Sequence, residues 1–286
     1  MAEFESYNIA TININNITNS TKIDALRTFI RRMETGIVFL QEVENEQLSL
    51  PGYNVICNVG YARRGTAIAL KKHIQFSHVE KNLDGRLIAL RVQNTTLCNV
   101  YAPSGTALRA KRERFYNGTL AYYLRYNTEH VILAWDFNCV LRPSDSTSVN
   151  SSPALQATVQ QLRLHDLWLK LYPRTPVPTY ITHNAASRLD RIYVSTVLCG
   201  QLRSAATHVC CFTDHKAVTA RISLPQLGRP RLLVSASTPL DYRKYRTIPN
   251  SVAVLDSSAE EFSQLVGMVG SVRETENQIF FSMEIQ

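Results

Sequence analysis

Repeatedly along this chain an apolar run of strand length stops abruptly at a side chain that can do chemistry. The clearest case is His130-Val131-Ile132-Leu133-Ala134-Trp135-Asp136-Phe137-Asn138. Apolar residues bounded by polar ones read as a buried strand. Asp136 and Asn138, two residues apart, point to the same face of its C-terminal end. Tyr7 to Asn13 alternates and runs into Asn13-Ile14-Asn15, again a polar pair two apart, and Ile37-Val38-Phe39-Leu40-Gln41-Glu42 ends in a carboxylate. Thr96 to Tyr101 leaves a phenol at the point where Pro103 stops the ladder, and His208 to Phe212 halts at Thr213-Asp214-His215. Singly these are ambiguous, because Asp and Asn are common turn formers. In series they describe sheets whose ends gather polar groups from distant segments.

The intervening segments read as a layered α/β chain. Thr21 opens an amphipathic helix through Ile23, Leu26, Phe29, Ile30 and Met33, ended by Gly36, so strand, helix and strand follow one another. Residues 53–101 form an antiparallel meander: Tyr53 to Asn58, Thr66 to Leu70, Leu87 to Val92 and Thr96 to Tyr101. Residues 107–127 read as a long helix whose first turns carry Arg109, Lys111, Arg112 and Arg114, cations placed against the helix dipole. Pro153 to Leu164 is a shorter helix, and Thr179 to Thr182 a strand. Ser187 to Val194 alternates as another, with Asp190 between Arg188 and Arg191. After Leu224-Pro225 the strand pattern ends. Residues 5–225 are therefore expected to form one domain, and 226–286 a linker or poorly structured tail in which only Glu260 to Val272 hints at a helix.

Composition excludes little. With 286 residues, 45% hydrophobic and 19% charged, a sizeable core is expected. The six cysteines show no CxxC pair and no zinc spacing, as for reduced thiols. The start has no basic segment followed by an apolar one, and no run approaches a membrane span. Secretion and membrane association are not expected; cytoplasmic synthesis and a nuclear site of action are. A net charge of +8 favours a polyanionic partner without specifying one.

The ordered set Gln41-Glu42, Tyr101-Ala102-Pro103, Asp136-Phe137-Asn138, Arg188-Leu189-Asp190-Arg191-Ile192 and Asp214-His215 resembles the endonuclease/exonuclease/phosphatase superfamily over roughly residues 5 to 225. The Asn13-Ile14-Asn15 start and Ser187-Arg188-Leu189-Asp190-Arg191-Ile192-Tyr193 look most like the endonuclease domain of non-LTR, LINE-type retrotransposon polyproteins. Apurinic repair endonucleases more often carry Asp where Asn15 stands. Trp135 replaces a usual Gly, Thr213 a usual Ser, and Ser104 an Asn found in many members. The first substitution is expected to crowd the packing beside Asp136.

The resemblance implies a DNase I-like fold: a four-layered α/β sandwich, two packed β-sheets flanked by helices. It implies a hydrolase dependent on Mg²⁺ or Mn²⁺ that nicks double-stranded DNA to leave a 3′-hydroxyl for target-primed retrotransposition. The chain would act as a monomer or as part of a larger polyprotein with a reverse transcriptase. By the same resemblance Glu42, with Asn15 and Asp214, holds the cation, and Asp136 orients or deprotonates the water. Asn138 and Asn13 donate to the scissile phosphate, His215 is oriented by Asp190, and Tyr101 bonds a phosphate oxygen. Thr179, Arg109, Arg112, Arg188 and Arg191 are the expected phosphate contacts. Alternatives are an apurinic-type repair endonuclease, a lipid or inositol phosphodiesterase of the same fold, and a degenerate copy that binds without cleaving.

Overall fold

Strands that are apolar on both faces must be covered on both, and the chain does this with two sheets and two helical layers. The computed structural model describes residues 4–16, 19–61, 64–124, 129–147 and 151–226, together with four short strands beyond them. One mixed six-stranded sheet contains β1 (Phe4–Asn13), β2 (Ile37–Val43), β3 (Tyr53–Val59), β4 (Gly65–Lys71), β13 (Leu202–Val209) and β14 (Lys216–Pro225), in the order β13-β14-β1-β2-β4-β3. The other contains β5 (Ser77–Lys81), β6 (Leu87–Val92), β7 (Thr95–Tyr101), β8 (Val131–Asp136), β9 (Leu164–Asp166) and β12 (Asp190–Ser195), in the order β5-β6-β7-β8-β12-β9. A two-stranded ribbon, β10 (Tyr180–Ile181) with β11 (Ala186–Ser187), belongs to neither sheet and bridges to His215 through Tyr180.

The period of two sorts the core. Ile9, Phe39, Ile68, Leu90, Ile132, Ala134, Ile192 and Ile222 meet between the sheets. Their neighbours Ala10, Ile12, Val38 and Leu40 turn outward under Leu26 and Ile30 of α1 (Ser20–Arg32). Asn19 caps that helix by accepting from the Lys22 amide, and Arg31 and Arg32 suit its last turn. Cys98, Val100, Leu133, Trp135 and Tyr193 face the other way, under α2 (Arg109–Arg114), a π-helical stretch Phe115–Leu120, α3 (Ala121–Leu124) and α4 (Pro153–Gln161). The result is the four-layered α/β sandwich.

Topology gathers the strand ends. The crossovers through α1 and through α2 and α3 make β1 parallel to β2, with Asn13 opposite Gln41, and β7 parallel to β8, with Tyr101 opposite Asp136. β12 runs antiparallel to β8, so its first residue, Asp190, lies opposite Asp136. Two loops nest at the same edge: a Cβ on Gly60 would come within 2.2 Å of the Asp84 carbonyl, so only glycine lets the β3–β4 and β5–β6 connections touch.

Several local expectations change. Of the long helix expected over 107–127, Arg109 to Leu124 is helical with a π turn in its middle and 125–127 lie outside the described residues, and β13 starts at Leu202 rather than His208. β5 is exposed along its whole length, so it carries no alternation to read. Trp135 does not crowd Asp136: adjacent strand residues face opposite ways, and the indole stacks on Phe137 at 4.2 Å and meets Phe115 and Tyr116 edge-on. No helix among the described residues is long and apolar enough to cross a membrane.

The chain divides into two compact units, Met1–Leu227 and Gly228–Gln286. In the second, β15 (Tyr245–Ile248) pairs with β16 (Val252–Leu255) and β17 (Ser271–Thr275) with β18 (Gln278–Ser282), where no strand is evident in the sequence pattern. The suggested helix over 260–272 falls outside the described residues except at Ser271 and Val272, which belong to β17. Since Pro225 is the last ladder partner of β14, opposite Phe4, truncation after Gln226 is expected to leave a soluble protein. Its melting temperature should stay within a few degrees of the parent's; insoluble expression would mean that the tail completes the core.

Candidate active site

Each polar strand end is aimed by its backbone. Asn13 and Asp136 share the inward register of the inter-sheet core and become its polar rim. Glu42 would by alternation point outward with Leu40. A register shift against β4 between Gln41 and Val43, with Glu42 at φ 58°, swings it into the site. Bulges re-aim side chains in this way. Asn15 (φ 42°) and Asn138 (φ 49°) also adopt left-handed backbone, which Asn tolerates and which concentrates where geometry serves function.

Asn13 is the hub. Its buried Nδ2 donates to Asp136 Oδ2 at 2.9 Å and to Glu42 Oε1 at 3.1 Å, while its Oδ1 accepts from the Asn15 amide at 2.9 Å. Asn15 Nδ2 donates to Asp214 Oδ1 at 2.9 Å. Thr213 Oγ1 donates to the Asn13 carbonyl at 2.8 Å and accepts from the His215 amide at 3.2 Å, so its hydroxyl ties β14's entry to β1. His215 Nδ1 meets Asp190 Oδ2 at 2.8 Å, and the Tyr180 ring lies 4.7 Å from the imidazole. Asn138 donates through its amide to Asp136 Oδ1 at 3.0 Å and through Nδ2 to the Ala102 carbonyl at 3.0 Å and Asp136 Oδ2 at 3.3 Å. The Tyr101 hydroxyl is held loosely, 3.4 Å from Ser104 Oγ and 3.5 Å from Arg64 Nη1, which also sits 3.8 Å from Glu42.

Burial, followed by the charge of Asp190, pushes the Asp136 carboxyl up to about 6, against the opposing pull of His215 and the Asn138 and Asn13 amides. Burial by itself would lower His215. The Asp190 carboxylate, then Asp136 and Asp214, outweigh that and raise the imidazole to about 10.

The residues suit a hard cation. Ligand atoms of Asp136, Asp190 and His215 lie within 4.8 Å of one another; the imidazole is committed to Asp190, so the oxygens are the groups that suit a cation, and Asp190 Oδ1 is buried without a hydrogen-bond partner. Beside them Glu42 is partly exposed, and Asp214 is exposed with its contacts confined to Oδ1. An oxygen-rich set that reaches solvent fits an ion that keeps some of its waters.

Some expected roles do not survive the geometry. Arg188 is buried between Asp145 (3.0 Å) and Asp166 (2.6 Å), and Arg191 follows Asp190 and so turns to the helical side. Arg112 is buried too, donating to the Pro103 and Gly105 carbonyls and bracing the loop after Tyr101. None of the three can meet a phosphate. Thr179 Oγ1 is buried accepting from the Leu189 and Asp190 amides, which positions Asp190. Both Nδ2 hydrogens of Asn13 are committed to carboxylates, so it orients these groups. Arg109 alone of the expected phosphate contacts is exposed.

Residues overlooked in the sequence also matter. Asn99, opposite Ala134, is buried and donates to the Leu40 and Ala67 carbonyls. Gln41 donates to Asn99 and Thr11, pinning the two sheets together just under the site. A lone Asn inside Cys98-Asn99-Val100 was the available signal, since buried polar groups need partners. Arg86, over the Tyr101 ring at 5.1 Å, gave no such signal, whereas Arg64, just before Gly65, is expected from the sequence among the charges around the site and stands beside Tyr101 and Glu42.

Comparison with known proteins agrees with this architecture. The chain is 27% identical over 238 residues to the Transposon TX1 uncharacterized 149 kDa protein of Xenopus laevis, an alignment covering 76% of this chain and 18% of that much longer protein. Similar folds occur in an AP endonuclease from Archaeoglobus fulgidus (TM-score 0.65, 19% identity, 77% of this chain and 100% of that one) and in AP endonuclease LMAP from Leishmania major (0.66, 18%, 77% and 88%). A 3′ phosphatase from Neisseria bound to a product DNA hairpin is a further neighbour (0.64, 18%, 76% and 99%). The sequence model of the Endonuclease/Exonuclease/phosphatase family matches residues 6–215, and the chain belongs to that family.

Proposed function

We propose that this chain is a divalent-metal-dependent endonuclease that nicks duplex DNA and leaves a 3′-hydroxyl, serving target-primed retrotransposition as one part of a longer polyprotein acting in the nucleus. The observation that carries the hydrolytic reading is the Glu42–Asn13–Asp136 bridge beside the Asp190–His215 pair. It sets a buried carboxylate between a cation ligand and an oriented imidazole.

Hydrolysis of a phosphodiester needs an oriented nucleophilic water, charge stabilisation on the phosphorus centre and help for the leaving oxygen. Asp136, fixed by Asn13 and the Asn138 amide, is the group to orient and deprotonate the water. His215, held through Nδ1 by Asp190, presents its other face to the developing charge. Asn138 Nδ2, shared between two acceptors, and the loosely held Tyr101 hydroxyl can turn to non-bridging oxygens. Glu42, with Asp214 and Asn15, would hold Mg²⁺ or Mn²⁺, which when bound polarises the phosphate and stabilises the leaving oxygen.

DNA is favoured over a lipid head group by the cations at the rim and by the relatives. Arg64, half exposed, stands beside Tyr101, and Arg109 is exposed after it. One relative is a transposon protein and one structural neighbour holds a DNA hairpin. Duplex affinity should therefore fall steeply with salt, with a log–log slope of about −0.9 per phosphate contacted. Arg109→Gln is expected to flatten that slope and to weaken all sequences alike. The measurement is duplex binding across a salt series with Ca²⁺ in place of Mg²⁺. A flat slope, or tighter binding to anionic vesicles, contradicts the DNA reading.

A further inference from the structure

We propose that Tyr116 and Arg191 are positioning residues that hold Asn138 in its left-handed conformation by fastening the carbonyls on either side of it; this rests on the phosphodiesterase reading of the site. The Tyr116 hydroxyl donates to the Phe137 carbonyl at 2.5 Å and touches Cys139 Sγ at 3.3 Å. The Arg191 guanidinium donates through Nη2 to the Cys139 carbonyl and through Nη1 to the Tyr193 hydroxyl at 3.3 Å, and its plane covers the Phe137 ring at 4.6 Å. The Phe137 amide is spoken for by the Leu189 carbonyl at 3.0 Å. Asn138, at φ 49°, is thus the middle residue of a three-residue turn whose flanks are tied from the helical side of the sheet, while its own side chain faces the site.

Both residues are unusual for pure packing. Arg191 is buried, takes part in none of the ion pairs among the described residues, and leaves its Nε without a partner. A buried cation with no carboxylate partner is costly, and an apolar residue would fill the same space more cheaply. Tyr116 sits in the π-helical stretch, where the widened turn buries it beside Phe115 and brings its hydroxyl to the Phe137 carbonyl. Such turns recur at functional positions. Trp135, with its ring 5.3 Å from Tyr116 and stacked on Phe137, fills the space between them.

Tyr116→Phe deletes the hydroxyl and keeps the ring. It is expected to lower the kcat for duplex nicking by roughly tenfold to a hundredfold, the scale of a displaced reacting group, with KM little changed and the melting temperature down by only a few degrees as the buried Phe137 carbonyl loses its donor. In an Asn138→Ala background the same change should add less than about twofold, because the group it positions is gone. Losses that multiply in the double variant would overturn the proposal. A second readout needs neither DNA nor metal: hydrogen exchange of the Asn138 amide, which is bonded to Asp136, should accelerate in Tyr116→Phe and in the volume-matched Arg191→Met. Unchanged protection in both variants overturns the positioning role. A parent chain that nicks no DNA, with the exchange change intact, would instead contradict the functional reading alone.

Discussion

Asp136→Asn is expected to lower duplex nicking by at least about a hundredfold, the usual scale for removing a group that acts in the transition state, while the protein stays folded. The substitution preserves shape and one acceptor for Asn13. In the metal-free protein it also removes a charge that burial disfavours: the Asp136 carboxyl is raised from 3.8 to about 6. An acid raised on folding loses stability as the pH climbs through its folded value, so at neutral pH the ionised form weakens the fold, and a neutral side chain relieves that. Reduced nicking with an unchanged or higher melting temperature is the expected pair of results. His215→Ala should match it in activity but lower stability, because Asp190 is left buried without its partner. Nicking near the parent rate in either variant would mean that the chemistry lies elsewhere.

The largest effect on stability is expected at Arg188, which is buried and paired with two carboxylates. Its guanidinium meets Asp145 and Asp166, all three side chains being at most 9% exposed, and so ties the Pro143–Asp145 turn and β9 to the start of β12. Arg188→Met strands two carboxylates in the interior and should cost about 3–5 kcal/mol. That corresponds to a fall in melting temperature of roughly 10 °C for a domain of this size. Replacing both aspartates by Asn in the same chain should recover much of the loss, since apolar or neutral substitutes for a whole buried cluster are tolerated far better than a broken one. A melting temperature within about 2 °C of the parent's for Arg188→Met alone would place this cluster in water rather than in the core.

Arg188 and Arg191 also mark what could be read from the sequence and what could not. The strand ends were legible, because an apolar run closed by Asp, Asn or Glu has a face and a direction, and the order of those runs places Asn13, Tyr101, Asp136 and Asp190 along one edge. The inward course of Asp190 was legible too, and it carries the opposite course of Arg191 with it; counting charge near the site obscured a simple alternation. The partners of Arg188 were not legible: Asp145 lies 43 residues away and Asp166 22, and nothing local marks either carboxylate. Glu42 reaches the site only through a register shift that alternation cannot foretell. The commitment of Asn13 to two carboxylates, rather than to substrate, depends on β1 and β8 meeting across the sandwich. β5 escaped because an edge strand exposed on both faces has no apolar pattern.

On the reading proposed above, the edge formed by Asn13, Glu42, Asp136, Asp190 and His215 hydrolyses DNA phosphodiesters with a divalent cation. Supercoiled plasmid incubated with the purified chain, in Mg²⁺ and in EDTA, tests it most directly, followed by polymerase extension from the product. Open-circular DNA is expected only when Mg²⁺ is present, with no product from Asp136→Asn and with nicks that a polymerase extends without prior end repair. Plasmid that stays supercoiled in Mg²⁺ and in Mn²⁺, or nicking that persists equally in EDTA, would contradict it.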